Sequence, residues 1–202
     1  MKPDLIILFR HGQCIDNLHN LLPHPNSPIT EQGRLDVIQA AYLLKPHLKS
    51  PSFITSPFPR AYATAEILAS ILEGPIIKDA DLREINFGKA TGCTPSQFKD
   101  KFPHYAELIA QSSNLDYTWP GGESRRDLLK RVKRSLNKWL NIGGPGEIVL
   151  VSHWVPLGFL YAEILHGCID HWDKLAPSCT TPIAFSVNNK NMDKIELELA
   201  KW

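Results

Sequence analysis

Leu5-Ile6-Ile7-Leu8-Phe9-Arg10-His11-Gly12 is the stretch that decides the fold. An unbroken apolar run over 5–9 stops abruptly at Arg10-His11-Gly12. A short, continuous run of this kind is the pattern of a strand buried on both faces of a parallel sheet. Ile148-Val149-Leu150-Val151 repeats the pattern after a Gly-Gly-Pro-Gly turn at 143–146 and stops at Ser152-His153. Phe53-Ile54 is a weaker version that ends at Thr55-Ser56-Pro57.

Helical patterns lie between these runs. Thr30 is placed to cap a helix ending near Leu48 that carries Leu35, Ile38, Ala41, Tyr42 and Leu44. Pro59 suits the first turn of the next helix, with Ala61, Ala65, Ile67, Leu68 and Leu72 turned inward. Residues 123–141 form a longer helix with Leu128, Leu129, Val132, Leu136 and Leu140 on one stripe, and 156–165 form another. Near the end Ile183, Phe185 and Val187 alternate with other residues, as do Ile195, Leu197 and Leu199, around Asn188-Asn189-Lys190-Asn191. That reads as an antiparallel hairpin. The expected fold is an α/β three-layer sandwich, a mostly parallel central sheet with helices on both faces and a C-terminal antiparallel hairpin. Residues 89–122 break the rhythm and are read as a small cap over one end of the sheet.

The 202 residues suit one domain, spanning 1–202. Hydrophobic residues make up 43% and charged residues 21%, which excludes a wholly disordered chain. The formal net charge is +1, so no nucleic-acid partner is expected. The local exception is Arg125, Arg126, Lys130, Arg131, Lys133 and Arg134, read as a solvated helix face. No apolar run reaches the roughly 18 residues of a membrane span, and the N-terminal run is too short for a signal-peptide core. Cys14, Cys93, Cys168 and Cys179 show no paired spacing and read as reduced thiols of a cytoplasmic protein.

Both main apolar runs end in a histidine, and in open α/β sheets ligands bind beyond the carboxyl ends of the strands. With the two strands as parallel neighbours, His11 and His153 meet in one crevice. The turn Ser56–Arg60 brings Arg60 to the same edge, and Arg10 precedes His11. Two guanidiniums that stay charged at any working pH repel a metal dication and suit a phosphate, which arginine grips with paired charged hydrogen bonds. No ligand spacing of the HExxH kind occurs.

Leu8-Phe9-Arg10-His11-Gly12-Gln13 resembles the RHG signature of the histidine phosphatase superfamily, which includes the cofactor-dependent phosphoglycerate mutases. Further blocks follow in the family's order: Asn17, Ile29-Thr30-Glu31-Gln32-Gly33, Ser56–Ala65, Leu82–Gly88, Pro120–Ser124 and Val151-Ser152-His153. Together they cover residues 5 to about 160. The resemblance implies roles for individual residues. His11 is the nucleophile that becomes a phosphohistidine. Arg10, Arg60 and His153 hold the phosphoryl oxygens, with Asn17 nearby, and Glu84 is the general acid and base. A neutral imidazole is a competent nucleophile near neutral pH, and a carboxylic acid can alternate between the two proton-transfer roles. No metal or organic cofactor is implied, and the partner is a small-molecule phosphomonoester.

Glu123 reads as a favourable charge in a helix's first turn, Trp119 as cap core or substrate wall, and His19 and His24 as exposed loop residues. Three departures from the family pattern stand out. Cys14 replaces a hydroxyl residue, Ala90-Thr91-Gly92 replaces an aromatic-acidic-glycine segment, and Trp154 follows His153 where a small residue is usual. Trp154 is expected to narrow or shield the pocket, or to turn into the core. The Leu82–Gly88 block resembles phosphatase branches such as α-ribazole phosphatase more than the mutases. The chain also ends soon after the last strand, without a mutase-like tail. The function expected is a metal-independent phosphomonoesterase. The alternatives are a phosphoglycerate mutase and a non-catalytic binder of phosphorylated ligands. Oligomeric state is not legible.

Overall fold

The computed structural model describes residues 3–109, 114–142, 144, 146–188 and 191–197. In chain order the first elements are β1 (Leu5–Arg10), α1 (Ile15–Leu18), α2 (Glu31–Leu44), β2 (Pro51–Thr55), α3 (Pro59–Leu72) and β3 (Ile76–Lys78). They are followed by α4 (Pro95–Lys101), α5 (Pro103–Ile109), α6 (Arg125–Ile142), β4 (Glu147–Ser152), α7 (Trp154–His166), α8 (Trp172–Leu175), β5 (Pro182–Asn188) and β6 (Asn191–Ile195). The strands form one sheet in the order β3-β2-β4-β1-β5-β6. β3, β2, β4 and β1 pair in parallel, and β5 and β6 join antiparallel.

The continuous apolar runs are explained by burial on both faces. Ile6 and Leu8 enter one core with Ile148, Leu150, Leu128, Val132 and Phe159, which come from β4, α6 and α7. Ile7 and Phe9 enter the other with Val149, Val151, Val37, Ala41, Ala65 and Leu68, from β4, α2 and α3. Successive strand residues point to opposite faces, so each buried strand joins both cores. The aromatic residues of the 89–122 segment and its flanks, Phe98, Tyr117 and Trp119, continue the first core.

Several sequence expectations shift. β3, absent from the sequence reading, is a three-residue edge strand after Gly74-Pro75, too short to leave a periodic signal. β6 begins at Asn191 and ends at Ile195; Leu197 packs beside the second core outside the strand, and Leu199 lies outside the described residues. α7 begins at Trp154, because Pro156 in the first turn has no intrahelical N–H bond to lose. α6 begins at Arg125, where Ser124 accepts from the Asp127 backbone N–H at 3.0 Å, so Glu123 precedes the helix.

α2 keeps Ala41 and Leu44 of the expected face inward but is rotated away from the rest of it. Val37, Ala40, Ala41 and Leu44 are buried, whereas Leu35, Ile38 and Tyr42 are exposed. Gly33 sets this rotation: a Cβ there would lie 2.4 Å from the Gln13 carbonyl oxygen, so the helix approaches the loop after β1 on its glycine side. Among the described residues no helix is long and apolar enough to cross a membrane. All four cysteines are free thiols.

Candidate active site

The strand order makes β2, β4 and β1 adjacent and parallel, so their C-terminal ends form one edge. Arg10 registers with Ser152, the His11 backbone N–H donates to the Ser152 carbonyl at 3.0 Å, and the Ser56 N–H donates to Val151 at 3.0 Å. The His11 and His153 rings stand edge to face with centroids 5.0 Å apart. Both are buried. Arg60, completely buried in the first turn of α3, donates from Nε to His11 Nε2 at 3.2 Å. Its Nη1 donates to the carbonyls of His24 (2.9 Å) and Pro25 (3.2 Å). The His19 and His24 side chains are exposed, and His24 contributes through its backbone alone.

His11 Nδ1 lies 2.7 Å from the Gly12 carbonyl oxygen. A carbonyl only accepts, so Nδ1 carries the proton and Nε2 presents its lone pair. The Arg60 contact agrees, because a guanidinium only donates. Burial, then the charges of Arg60 and Arg10, hold the His11 pKa well below the usual histidine range. Burial, then Arg60, does the same to His153. His153 Nε2 lies 2.8 Å from Ser56 Oγ, which also accepts from the Phe58 N–H at 3.3 Å.

Glu84 follows a 3₁₀ turn over Ala80–Leu82 and is buried. Its Oε1 accepts from the Ile85 N–H at 2.9 Å. Burial raises its pKa, opposed by Arg60 and by that hydrogen bond. Arg131 holds the Glu84 loop by donating to the carbonyls of Asp81, Arg83 and Glu84 at 2.6, 2.7 and 3.2 Å. The same guanidinium grips Glu123 through both carboxylate oxygens at 2.7 and 2.9 Å. Glu123 is therefore a structural partner.

The basic stripe on α6 is a solvated face in part: Arg126, Lys130 and Arg134 are exposed and Lys133 is half-exposed, but two of its arginines turn inward. Arg125 and Arg131 are buried, and Arg126, Lys133 and Arg134 pair with Asp116, Glu163 and Asp81. The helix alternates inward and outward every few residues, so arginines on its inward side must fold into the protein and find carbonyl or carboxylate partners. Arg125 does so by donating to the carbonyls of Asn114 and Ile109 and stacking over Tyr117.

Three buried nitrogens of the cluster lack a protein partner among the described residues: Arg10 Nε, Arg60 Nη2 and His153 Nδ1. Buried donors are ordinarily satisfied. Their convergence on one strand edge is the chemical demand of an anion with several oxygens.

A cavity of about 840 Å³ is lined by Arg10, His11, Asn17 and Glu84, and beyond them mostly by apolar side chains, with Asn20, Lys99, Glu107, Arg125 and Asp173 also bordering it. Asn17 Oδ1 accepts from the Cys14 backbone N–H (3.3 Å) and from the thiol (3.1 Å), so Cys14 supports it where a hydroxyl would. Arg60 and His153 lie behind the cavity floor. Trp154 is a wall of the cavity, packed on Trp172 with ring centroids 4.9 Å apart. Trp119 is both buried core and wall.

Ser56, Thr64 and Arg131 escaped the sequence reading. Thr64 accepts from the Gly12 N–H at 3.0 Å and donates to the Arg60 carbonyl at 2.8 Å, joining α3 to the His11 loop. The spacing of Arg60 and Thr64, one helical turn apart, was the available signal. Arg131 gave none, because its partners are backbone carbonyls 47–50 residues away.

Comparison with known proteins places the chain among sequences and folds already described. The bifunctional protein Rv2228c of Mycobacterium tuberculosis is 32% identical over 160 residues, 78% of this chain and 43% of that protein, so the chain spans under half of that relative's length. The Escherichia coli protein named "Probable phosphoglycerate mutase GpmB" is 29% identical over 161 residues, 79% of this chain and 74% of that one. The crystal structure of the α-ribazole phosphatase from Shigella flexneri superposes with a TM-score of 0.84 at 19% identity, covering 96% of this chain and 95% of that chain. The family model for the histidine phosphatase superfamily (branch 1) matches residues 6–197, and the chain belongs to that family.

Proposed function

We propose that the chain is a metal-independent phosphomonoesterase that hydrolyses a small phosphorylated molecule through a phosphohistidine on His11. The observation that carries this reading is the His11 tautomer: Nδ1–H is tied to the Gly12 carbonyl, so Nε2 is the nitrogen that presents a lone pair, held by Arg60 Nε at 3.2 Å. Entry of the phosphoryl group exchanges the Arg60–His11 hydrogen bond for bonds from Arg60 to phosphoryl oxygens. Arg10 Nε, Arg60 Nη2 and His153 Nδ1 supply the remaining donors. With Ser56 O–H donating to His153 Nε2, His153 Nδ1 carries the proton that such a contact needs. Asn17 borders the same cavity and contacts the substrate.

In the first step His11 Nε2 bonds to phosphorus while the ester P–O bond breaks, and Glu84 gives its proton to the leaving oxygen. In the second, Glu84 takes a proton from water as the water oxygen bonds to phosphorus and the P–N bond breaks. Phosphate leaves, and His11 and Glu84 return to their starting states. Burial that raises the Glu84 pKa favours its acid form and burial that lowers the His11 pKa favours neutral imidazole, which suits both partners to the first step. Fixed donors stabilise the transferred group without reorganising, and losing one typically raises the barrier by ~2.7–4 kcal/mol. The 89–122 segment acts as a cap, since Pro95, Phe98 and Lys99 of α4 border the cavity.

The test is hydrolysis of p-nitrophenyl phosphate in excess EDTA by wild type and His11→Ala. Wild type turns over and traps a phosphoenzyme on acid quench; His11→Ala folds and does neither. Glu84→Gln loses far more rate on alkyl phosphates, whose leaving oxygens need a proton, than on nitrophenyl phosphate. Equal losses remove Glu84 from the acid role. Interconversion of phosphoglycerates outpacing hydrolysis would make the chain a mutase, in line with the GpmB relative.

A further inference from the structure

The cavity continues well past the catalytic cluster. Its volume of about 840 Å³ is toward the upper end of the roughly 300–1,000 Å³ that encloses drug-sized ligands. Beyond Glu84 its walls are Ile85, Phe87, Phe98, Trp119, Trp154 and Trp172. The aromatic walls brace one another: Phe87 on Trp119 at 4.8 Å and Trp154 on Trp172 at 4.9 Å edge to face, and Phe98 tilted on Trp119 at 5.1 Å. Five of the six are buried, Trp154 alone being partly exposed, and the aromatic set is prearranged, so little side-chain ordering remains for a ligand to impose. The buried cation of this region, Arg125, is committed to the carbonyls of Ile109 and Asn114. Lys99, Glu107 and Asp173 also border the cavity but are exposed to solvent.

The geometry points to a phosphomonoester whose alcohol is large and apolar as the substrate class of this site. This rests on the phosphomonoesterase reading of the His11 cluster. A hydroxyl-rich alcohol set against these walls surrenders hydrogen bonds to water without replacement. A two- or three-carbon alcohol leaves the aromatic walls uncovered. An apolar chain or ring system instead removes its own surface and theirs from water while the phosphoryl group lies at His11.

n-Alkyl phosphonates test this, because they bind without being hydrolysed and keep one headgroup along the series. Calorimetry with ethyl- and hexylphosphonate, both competed off by inorganic phosphate, gives the preference directly. Full burial of one methylene corresponds to about fourfold in affinity. The expected gain from ethyl to hexyl is therefore at least tenfold, with partial burial allowed for. Trp154→Ala is expected to cut the hexyl-to-ethyl affinity ratio at least threefold. In parallel, kcat/KM for ethyl and hexyl phosphate, which share one leaving-group acidity, rises with chain length in wild type. Equal affinity for the two phosphonates overturns the inference even if both esters are hydrolysed. Tight hexylphosphonate binding without ester hydrolysis upholds it and removes the catalytic reading instead.

Discussion

At the scale of single residues, hydrogen bonds fix the chemistry of the site by deciding which nitrogen carries a proton. Gly12 settles this for His11 with a carbonyl that only accepts. For His153 the partner is Ser56 Oγ, a hydroxyl that can donate or accept; the proposed mechanism requires it to donate to Nε2, which leaves the His153 proton on Nδ1. Ser56→Ala removes that donor, and a neutral hydrogen bond of this kind has a net value of about 0.5–1.5 kcal/mol. We expect kcat to fall roughly threefold to tenfold, with KM little changed, and Ser56→Thr to recover the rate. The ¹⁵N spectrum of the histidines supplies the readout that a packing role would not move. Wild type places the His153 proton on Nδ1, and Ser56→Ala mixes the tautomers. A wild-type proton found on Nε2 sinks the assignment. His11, His153 and Arg60 were legible because each stands at a strand end or one turn into a helix, within a motif. Ser56 was quoted only as part of a block, because a serine beside a proline looks like any turn residue until the sheet brings it under His153.

Elements succeed or fail as carriers of the site through their close approaches. The loop after β1 is pressed against α2, where a Cβ on Gly12 would lie 2.6 Å from the Gly33 carbonyl oxygen and one on Gly33 2.4 Å from the Gln13 carbonyl oxygen. Alanine at position 33 improves intrinsic helix propensity by about 1 kcal/mol. Displacing backbone to admit the methyl typically costs 1–3 kcal/mol, and here the obstruction is carbonyl oxygen that cannot rotate away. The clash wins, so Gly33→Ala is expected to lower the urea midpoint and, by moving Gly12, to reduce kcat. Unchanged stability with unchanged kcat would show that the loop yields freely. The same contact explains why the periodicity of α2 misled. Of the expected stripe Leu35, Ile38, Ala41, Tyr42 and Leu44, only Ala41 and Leu44 are buried; backbone proximity, which hydropathy cannot record, rotates the helix so that Val37 and Ala40 join them and Leu35, Ile38 and Tyr42 face outward. β3 was illegible for a different reason: three residues at a sheet edge carry too little pattern. The apolar runs at 5–9 and 148–151 were legible because double-sided burial leaves no position for a polar residue.

Across the whole molecule the site is a buried charge arrangement on which the fold must close. Two neutral histidines and a carboxyl with raised pKa lie under two guanidiniums, and their titration is coupled to folding. For each histidine the folded pKa lies below the unfolded value near 6.5. The unfolded chain therefore binds more protons as pH falls through that value. Stability attributable to each is complete above about pH 7.5 and drains away below it. Glu84 works oppositely: its folded pKa is above the unfolded one, so its contribution is present at low pH and lost as pH rises through the folded value. Between pH 7.5 and 5.5 the two act in opposite senses: the unfolded glutamate is already largely ionised there, so a Glu84 whose folded pKa is raised gains stability as pH falls while each neutral histidine loses it. A histidine that stays neutral in the folded state loses about 1.4 kcal/mol over that interval. Urea unfolding of wild type and His153→Gln at both pH values isolates one histidine's share: on going from pH 7.5 to 5.5 the change in stability of His153→Gln should be more favourable than that of wild type by about 1.4 kcal/mol, whatever the variant's absolute stability. Parallel pH profiles for the two proteins would mean that His153 is protonated in the folded state, and its Nδ1 would then be a charged donor to the phosphoryl group.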